Sequence, residues 1–214
     1  VIDAAGWVNS LVDVLYPPRC AACDAPGSEP FCPVCREFVD PGGELWLGEL
    51  DWAVAEFEYG GAARDAIRRM KYDGRWELAR ALGGAMARSV AASPFRFEVV
   101  VPVPTTGERL RERGYNPARE LARAWGGRTE ARAVRRRRGP AQVGRTRRER
   151  MKNLLGAFSA DPARVSGRRI LVVDDVITTG ATAVAIASEL RRRGARSVGI
   201  VACASAPERD ASKR

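Results

Sequence analysis

The chain predicts an α/β fold: a mostly parallel central sheet flanked by helices, preceded by a small cysteine-bearing module. Three observations carry that expectation. From Trp52 onward, strand-like and helix-like segments alternate, the pattern of right-handed crossovers feeding a parallel sheet. Two of the strand-like segments, Glu98 to Val103 and Ile170 to Val173, are short apolar runs, as expected of strands covered on both faces. Ahead of the first strand, four cysteines are packed between Cys20 and Cys35.

In chain order, Ala4, Trp7, Val8, Leu11, Val12 and Leu15 fall at helical spacing, and Tyr16-Pro17-Pro18 ends that helix. The cysteine segment follows, then a stretch rich in Pro, Gly and acid to about Asp51. Trp52 to Tyr59 reads as a strand, Gly61 to Met70 as a helix and Trp76 to Ala92 as another. After the strand at Glu98 to Val103 and a break at Gly114, Asn116 to Trp125 reads as helical. The Arg-rich segment Gly126 to Gly144, with Gly139-Pro140 inside it, reads as a loop with a short strand near Ala133. Arg147 to Leu155 adds a helical turn or two. Ile170 to Val173 is a strand, Ala181 to Arg193 a helix and Ser197 to Ala202 the last strand. The organisation expected is a helix and cysteine module over 1–50, a main domain over 51–207 and a tail over 208–214.

Formal charge is 36 − 26 = +10, and 45% of residues are hydrophobic. The second figure is that of a folded domain. The first favours anionic partners: phosphorylated metabolites, nucleic acid or an acidic lipid surface. Arginine is spread along the whole chain, so a solvated basic surface accounts for part of the excess. No stretch reaches the roughly 20 apolar residues of a membrane helix, so no membrane insertion is expected. Val1 to Leu15 carries Asp3 and Asp13 without a basic start, unlike a secretory signal. The expected location is cytoplasmic, hence reducing. The chain has no histidine, which removes the commonest general base.

Cys20-x₂-Cys23 and Cys32-x₂-Cys35 form two pairs with eight residues between them. Four thiolates complete a tetrahedral Zn²⁺ and leave no open position for chemistry, so the expected ion is structural. Two disulfides and an iron–sulfur cluster are the competing uses of these residues; reducing surroundings weigh against the first. Cys203 stands apart in the last strand and reads as a buried apolar residue.

The strongest signal is the run Ile170-Leu171-Val172-Val173-Asp174-Asp175, followed by Val176-Ile177-Thr178-Thr179-Gly180-Ala181-Thr182. Two carboxylates at the carboxyl end of a buried strand lie where open α/β sheets bind ligands. The turn from Thr178 to Thr182 opens a helix, whose free N–H groups and positive dipole end favour an anion. Ionised acids accept hydrogen bonds and donate none. Asp174 and Asp175 therefore suit sugar hydroxyls, directly or through Mg²⁺. A phosphate cradle beside a diol receptor matches the two ends of a ribose 5-phosphate.

A second loop follows the strand ending at Val103. Pro104, Thr105 and Thr106 lead to Arg109, Arg111 and Arg113 and then Gly114-Tyr115-Asn116. Guanidinium forks suit the several oxygens of a diphosphate. A third group, Gln142, Arg145, Arg150, Lys152, Asn153 and Phe158, precedes the Asp-Asp strand. The run Arg135 to Arg138 reads as an exposed basic loop.

The Asp-Asp strand and its Thr/Gly turn resemble the phosphoribosyl-diphosphate (PRPP) motif of type I phosphoribosyltransferases. Taken with Lys71-Tyr72-Asp73-Gly74, Val101-Pro102-Val103-Pro104, Arg113-Gly114-Tyr115-Asn116 and the cysteine pairs, the chain resembles the ComF/GntX family from the cysteines to about Val201. The resemblance implies a type I phosphoribosyltransferase fold with a four-cysteine zinc module. It implies that Asp174 and Asp175 hold the ribose hydroxyls with Mg²⁺, and that Thr178, Thr179, Gly180, Ala181 and Thr182 hold the 5-phosphate. Pro104, Thr105, Thr106, Arg109 and Arg113 would face the diphosphate, with Arg145 and Arg150 closing over it. The implied activity is transfer of a phosphoribosyl group to an acceptor the sequence does not name. ComF-like proteins are also associated with competence, which makes single-stranded DNA or a competence helicase the implied partners. A non-catalytic sensor of PRPP or of a nucleotide is the alternative.

Overall fold

The computed structural model describes residues 18–26, 30–137 and 156–206. The expected helix over 1–15, the turn over 147–155 and the tail after 207 lie outside them, as do Gln142, Arg145, Arg150, Lys152 and Asn153.

Four parallel strands form the central sheet: β1 (Trp52–Glu58), β2 (Val99–Pro102), β5 (Arg169–Ile177) and β6 (Ser197–Ser205), in the spatial order β1-β6-β5-β2. The helices are α1 (Pro33–Arg36), α2 (Gly61–Tyr72), α3 (Leu78–Ala92), α4 (Gly107–Arg113), α5 (Pro117–Ala122), α6 (Pro162–Val165) and α7 (Ala181–Arg192). A two-stranded antiparallel ribbon pairs β3 (Val134–Arg136) with β4 (Phe158–Ala160).

The pleat divides the core between the two faces of the sheet. Leu171 and Val173 join Ile67, Met70, Leu82 and Met86 of α2 and α3. Ile170 and Val172 join Ile186 and Leu190 of α7 on the other face. Each fully buried aliphatic side chain contributes about 1.5–3 kcal/mol, so both helical layers are needed to hold β5. On the outer edge of β1, Glu44 pairs with Val54 and Pro41 with Phe57; this cover protects an otherwise open strand edge. At Gly83 an added Cβ would lie 2.5 Å from the Leu121 carbonyl oxygen, so the approach of α3 to the end of α5 requires glycine there.

Several boundaries differ from those read in the sequence. β5 continues to Ile177 and β6 to Ser205, because each keeps pairing with its neighbour past the apolar run. The expected loop over 104–113 contains α4. Thr106 caps it, with Oγ1 accepting from Arg109 N at 3.2 Å, and Gly114 ends it at φ +79°. The Arg-rich stretch holds a 3₁₀ segment (Arg123–Arg128) before β3. Glu189 of α7 accepts from Ala160 N at 3.1 Å and pairs with Arg192 at 2.6 Å and Arg193 at 3.0 Å. That carboxylate fastens the ribbon to the helix at a spot the sequence pattern does not mark.

The cysteine segment packs on α2 and β1. Phe31 meets Phe57 edge to face at 5.4 Å between ring centroids, and Cys20, Ala21 and Phe31 are buried. Among the described residues, no helix is long and apolar enough to cross a membrane.

Candidate functional site

The carboxyl end of β5 opens into a cavity of about 440 Å³. Because β5 stays pleated through Ile177, Asp174 continues the Ile170/Val172 row and Asp175 the Leu171/Val173 row. The two acids thus leave the strand on opposite faces, yet both line the cavity. Asp175 meets Lys71 of α2, Oδ1 to Nζ 2.8 Å, with side-chain exposures of 18% and 15%. Among the described residues no cation pairs with Asp174; its Oδ1 accepts from Asp175 N at 2.8 Å. Burial, then the neighbouring Asp175 charge, push the Asp174 carboxyl well above the usual range. The Asp175 N–H and Lys71 pull the other way without cancelling it. A carboxyl so placed takes up a hydroxyl or a cation readily, since either replaces missing water.

The turn after β5 delivers the amino end of α7. Gly180 sits at φ +70°, and a Cβ there would fall 2.4 Å from Leu47 Cδ2; a left-handed residue is needed to swing the chain from strand to helix. Thr179 Oγ1 accepts from Ala181 N at 3.5 Å. Thr178 and Thr182 line the cavity, and Thr179, Gly180 and Ala181 complete the turn between them. Unpaired helix N–H groups at such a turn favour a phosphate.

The opposite wall is cationic. Pro104, Thr105, Thr106, Arg109 and Arg113 line it, with Asn116. Asn116 Nδ2 donates to Val103 O at 2.9 Å while its Oδ1 accepts from Ala118 N at 3.1 Å. This one side chain ties the end of β2 to the start of α5. The Arg113 guanidinium lies 4.8 Å from the Tyr72 ring centroid. Arg136 enters from β3, its guanidinium 5.3 Å from the Phe158 ring. Burial, then Arg109 nearby, lower its pKa. Arg135 and Arg137 do not line the cavity, as strand alternation requires. Among the described residues, no carboxylate pairs with Arg109, Arg113 or Arg136. Three guanidiniums gathered without a counter-ion among the described residues suit a polyanion.

Of the residues singled out in the sequence, Asp174, Asp175, Thr178, Thr182, Pro104, Thr105, Thr106, Arg109 and Arg113 line this one cavity. Arg145 and Arg150 lie outside the described residues. Sequence reasoning missed two participants. Arg136, expected in an exposed basic loop, is solvent-exposed but sits in a strand and lines the cavity; its placement there depends on β3 pairing with β4, 22 residues away (Arg136↔Phe158). Lys71, noted only as part of a motif, is the cation beside Asp175.

The sulfurs of Cys20, Cys23, Cys32 and Cys35 all lie within 4.8 Å of one another, and all four residues are free cysteines. Cys32 Sγ accepts from Cys35 N at 3.4 Å and caps α1. Burial raises the Cys20 thiol, but backbone hydrogen bonds from Cys32, Cys23 and Ala22 outweigh it and leave the pKa lowered. Four soft donors at this spacing, with no fifth position, fit a structural zinc ion.

Comparison with known proteins agrees with both parts. The phosphoribosyl transferase domain family matches residues 79–214, and the double zinc ribbon domain family matches residues 11–44. The DNA utilization protein YhgH of Escherichia coli O6:H1 is 30% identical over 191 residues, covering 85% of this chain and 81% of that protein. Its counterpart in Salmonella typhi is 30% identical over 195 residues, with the same coverage of 85% and 81%. A uracil phosphoribosyltransferase of Staphylococcus epidermidis is 39% identical over 51 residues, 24% of each chain. A solved structure of the allosteric regulatory enzyme of purine biosynthesis overlaps 58% of this chain and 25% of its own, with 26% identity and a TM-score of 0.41.

Proposed function

We propose, for a chain that belongs to the phosphoribosyl transferase domain family, that the cavity at the end of β5 binds PRPP with Mg²⁺. The type I fold of that family and a four-cysteine zinc ribbon are its established frame. Within it, the proposed division of labour follows charge. Asp174 and Asp175 accept from the ribose hydroxyls. The N–H groups and hydroxyls from Thr178 to Thr182 take the 5-phosphate. Thr105, Thr106, Arg109, Arg113 and Arg136 face the diphosphate.

One observation carries this reading: a single cavity gathers two carboxylates, a helix amino end and three arginines that have no carboxylate partner among the described residues. A phosphate alone would leave Asp174 without a ligand, and a nucleoside alone would leave the arginines so. Magnesium, held at Asp174 and Asp175 directly or through the sugar hydroxyls, would neutralise part of the diphosphate charge. The reaction proposed forms a bond from C1 of the ribose to a nucleophile and breaks the bond from C1 to the diphosphate oxygen. The leaving diphosphate carries away the electron pair, and the arginines stabilise that charge as it develops. With no histidine in the chain, the acceptor's proton passes to a carboxylate or to the diphosphate itself.

Calorimetry with PRPP and Mg²⁺, and with ribose 5-phosphate and diphosphate separately, tests the reading. PRPP should bind more tightly than either half. A purine nucleotide that binds more tightly than PRPP would instead make the site a nucleotide sensor.

A second reading is favoured by the name DNA utilization protein carried by relatives that align with most of the chain. In it, the pocket senses PRPP without turnover, and the outward Arg135 and Arg137 contact single-stranded DNA or a DNA-bound helicase. It requires salt-sensitive DNA binding that weakens when those two arginines are removed, with no release of diphosphate from bound PRPP.

A further inference from the structure

Besides the packing of Phe31 on Phe57 of β1, the cysteine module meets the main domain through polar contacts on and just after the helix that serves the cavity. Arg69 of α2 donates from Nη1 to both Ala21 O and Ala22 O, each at 3.1 Å. Those carbonyls lie between Cys20 and Cys23. Its Nη2 stands 3.5 Å from Asp24 Oδ1, the same oxygen that Arg75 Nη2 meets at 2.8 Å. Asp24 itself holds φ +69°, the one non-glycine residue in that region among those described. Such a backbone persists only where surroundings fix it, and Arg69 and Arg75 do so here. The module is thus fastened to α2 by one guanidinium whose Nη1 serves the paired carbonyls and whose Nη2 faces Asp24, a two-nitrogen grip that a single ammonium cannot reproduce.

Two residues further along, α2 turns by about 200° and presents Lys71, whose Nζ pairs with Asp175 at 2.8 Å. The next residue, Tyr72, carries the Arg113 guanidinium over its ring. Met70, between Arg69 and Lys71, is fully buried. One helical turn therefore joins the first cysteine knuckle, the carboxylate side of the cavity and the arginine side.

We propose that Arg69 is a positioning residue for the sugar-phosphate site, through which the cysteine module sets the placement of Lys71 and Tyr72. The module then belongs to the framework of the pocket. This inference rests on the PRPP reading for its ligand, and not for the linkage itself. It predicts unequal effects on two probes. Ribose 5-phosphate needs the carboxylates beside Lys71 as well as the anion-binding groups of the cavity, whereas inorganic phosphate needs the anion-binding groups and not the carboxylates.

The test compares wild type with Arg69→Ala, Arg69→Lys and Asp24→Asn by calorimetry, with zinc content measured on each. Arg69→Ala should keep one zinc per chain, lose about three- to tenfold in affinity for ribose 5-phosphate, and bind inorganic phosphate as before. Arg69→Lys should behave like Arg69→Ala, because a single ammonium does not reach the two carbonyls and Asp24 together; Asp24→Asn should show a smaller loss of the same kind. Equal losses for both probes, or no loss for either, would overturn the proposal. Amide exchange over residues 69–73 supplies a readout without ligand. It should quicken in Arg69→Ala with the core of β5 unchanged. If wild type binds neither probe, the PRPP reading falls, and unchanged exchange over 69–73 would then refute the linkage separately.

Discussion

Replacing Lys71 with Met keeps most of the side-chain volume and removes the charge beside Asp175. At the observed 2.8 Å, a unit pair is worth about 6 kcal/mol at an effective dielectric of about 20, and about 1.5 kcal/mol in water. Both partners are largely enclosed, so desolvation offsets much of the larger figure, leaving a net loss of about 1–3 kcal/mol. The loss should be specific to the pair. Without Lys71, no described cation pairs with Asp175 or with the adjacent Asp174. Urea unfolding of Lys71→Met, Asp175→Asn and the double variant completes a cycle. Lys71→Met should cost about 1–3 kcal/mol in wild type and under about 0.5 kcal/mol in the Asp175→Asn background. An equal cost in both backgrounds would refute the view that Lys71 acts through Asp175.

Asp174 makes stability depend on pH in a definite sense. Its folded pKa is raised, by burial first and by Asp175 second, so the native state keeps a proton that the unfolded chain releases. Stability should therefore fall as pH rises from the ordinary aspartate range, near ~4, up to the raised native value, and level off above it; Asp174→Asn should remove that slope in urea titrations across pH. Occupation of the site by a magnesium complex should release protons, seen as a calorimetric heat that changes with the ionisation enthalpy of the buffer. Arg136→Ala should weaken diphosphate binding about tenfold or more, while Arg135→Ala, outside the cavity, should leave it unchanged. Protein purified without chelator should carry one zinc per chain, and stripping the zinc should lower the thermal midpoint, because metal binding supplies most of the folding free energy of so small a module; a metal content near zero with thiols oxidised in pairs would contradict the zinc assignment.

What could be read in advance was local. The apolar strand, tandem acids and Thr/Gly turn are contiguous, and their chemistry follows from adjacency. The same is true of the two cysteine pairs, whose spacing alone brings four sulfurs within reach of one ion. What escaped depends on pairing between distant segments. Arg136 lines the cavity because Phe158, across an intervening stretch, sets the register of β3. Asp174 and Asp175 leave opposite faces because β6 continues to pair with β5 as far as Ile177. Lys71 finds Asp175 only once α2 is laid on the sheet. The short helix α4 was read as a loop because seven residues carry too little periodicity to outweigh a run of arginines, although its Thr106 cap and Gly114 stop are both visible in the sequence.

The central claim, that the tandem carboxylates grip a pentose beside a phosphate cradle, is tested most directly by titrating ribose 5-phosphate and Mg²⁺ into wild type and the Asp174→Ala/Asp175→Ala variant. The account expects the variant to bind at least about tenfold more weakly while retaining wild-type affinity for inorganic phosphate. Undiminished binding of ribose 5-phosphate by the variant would contradict it.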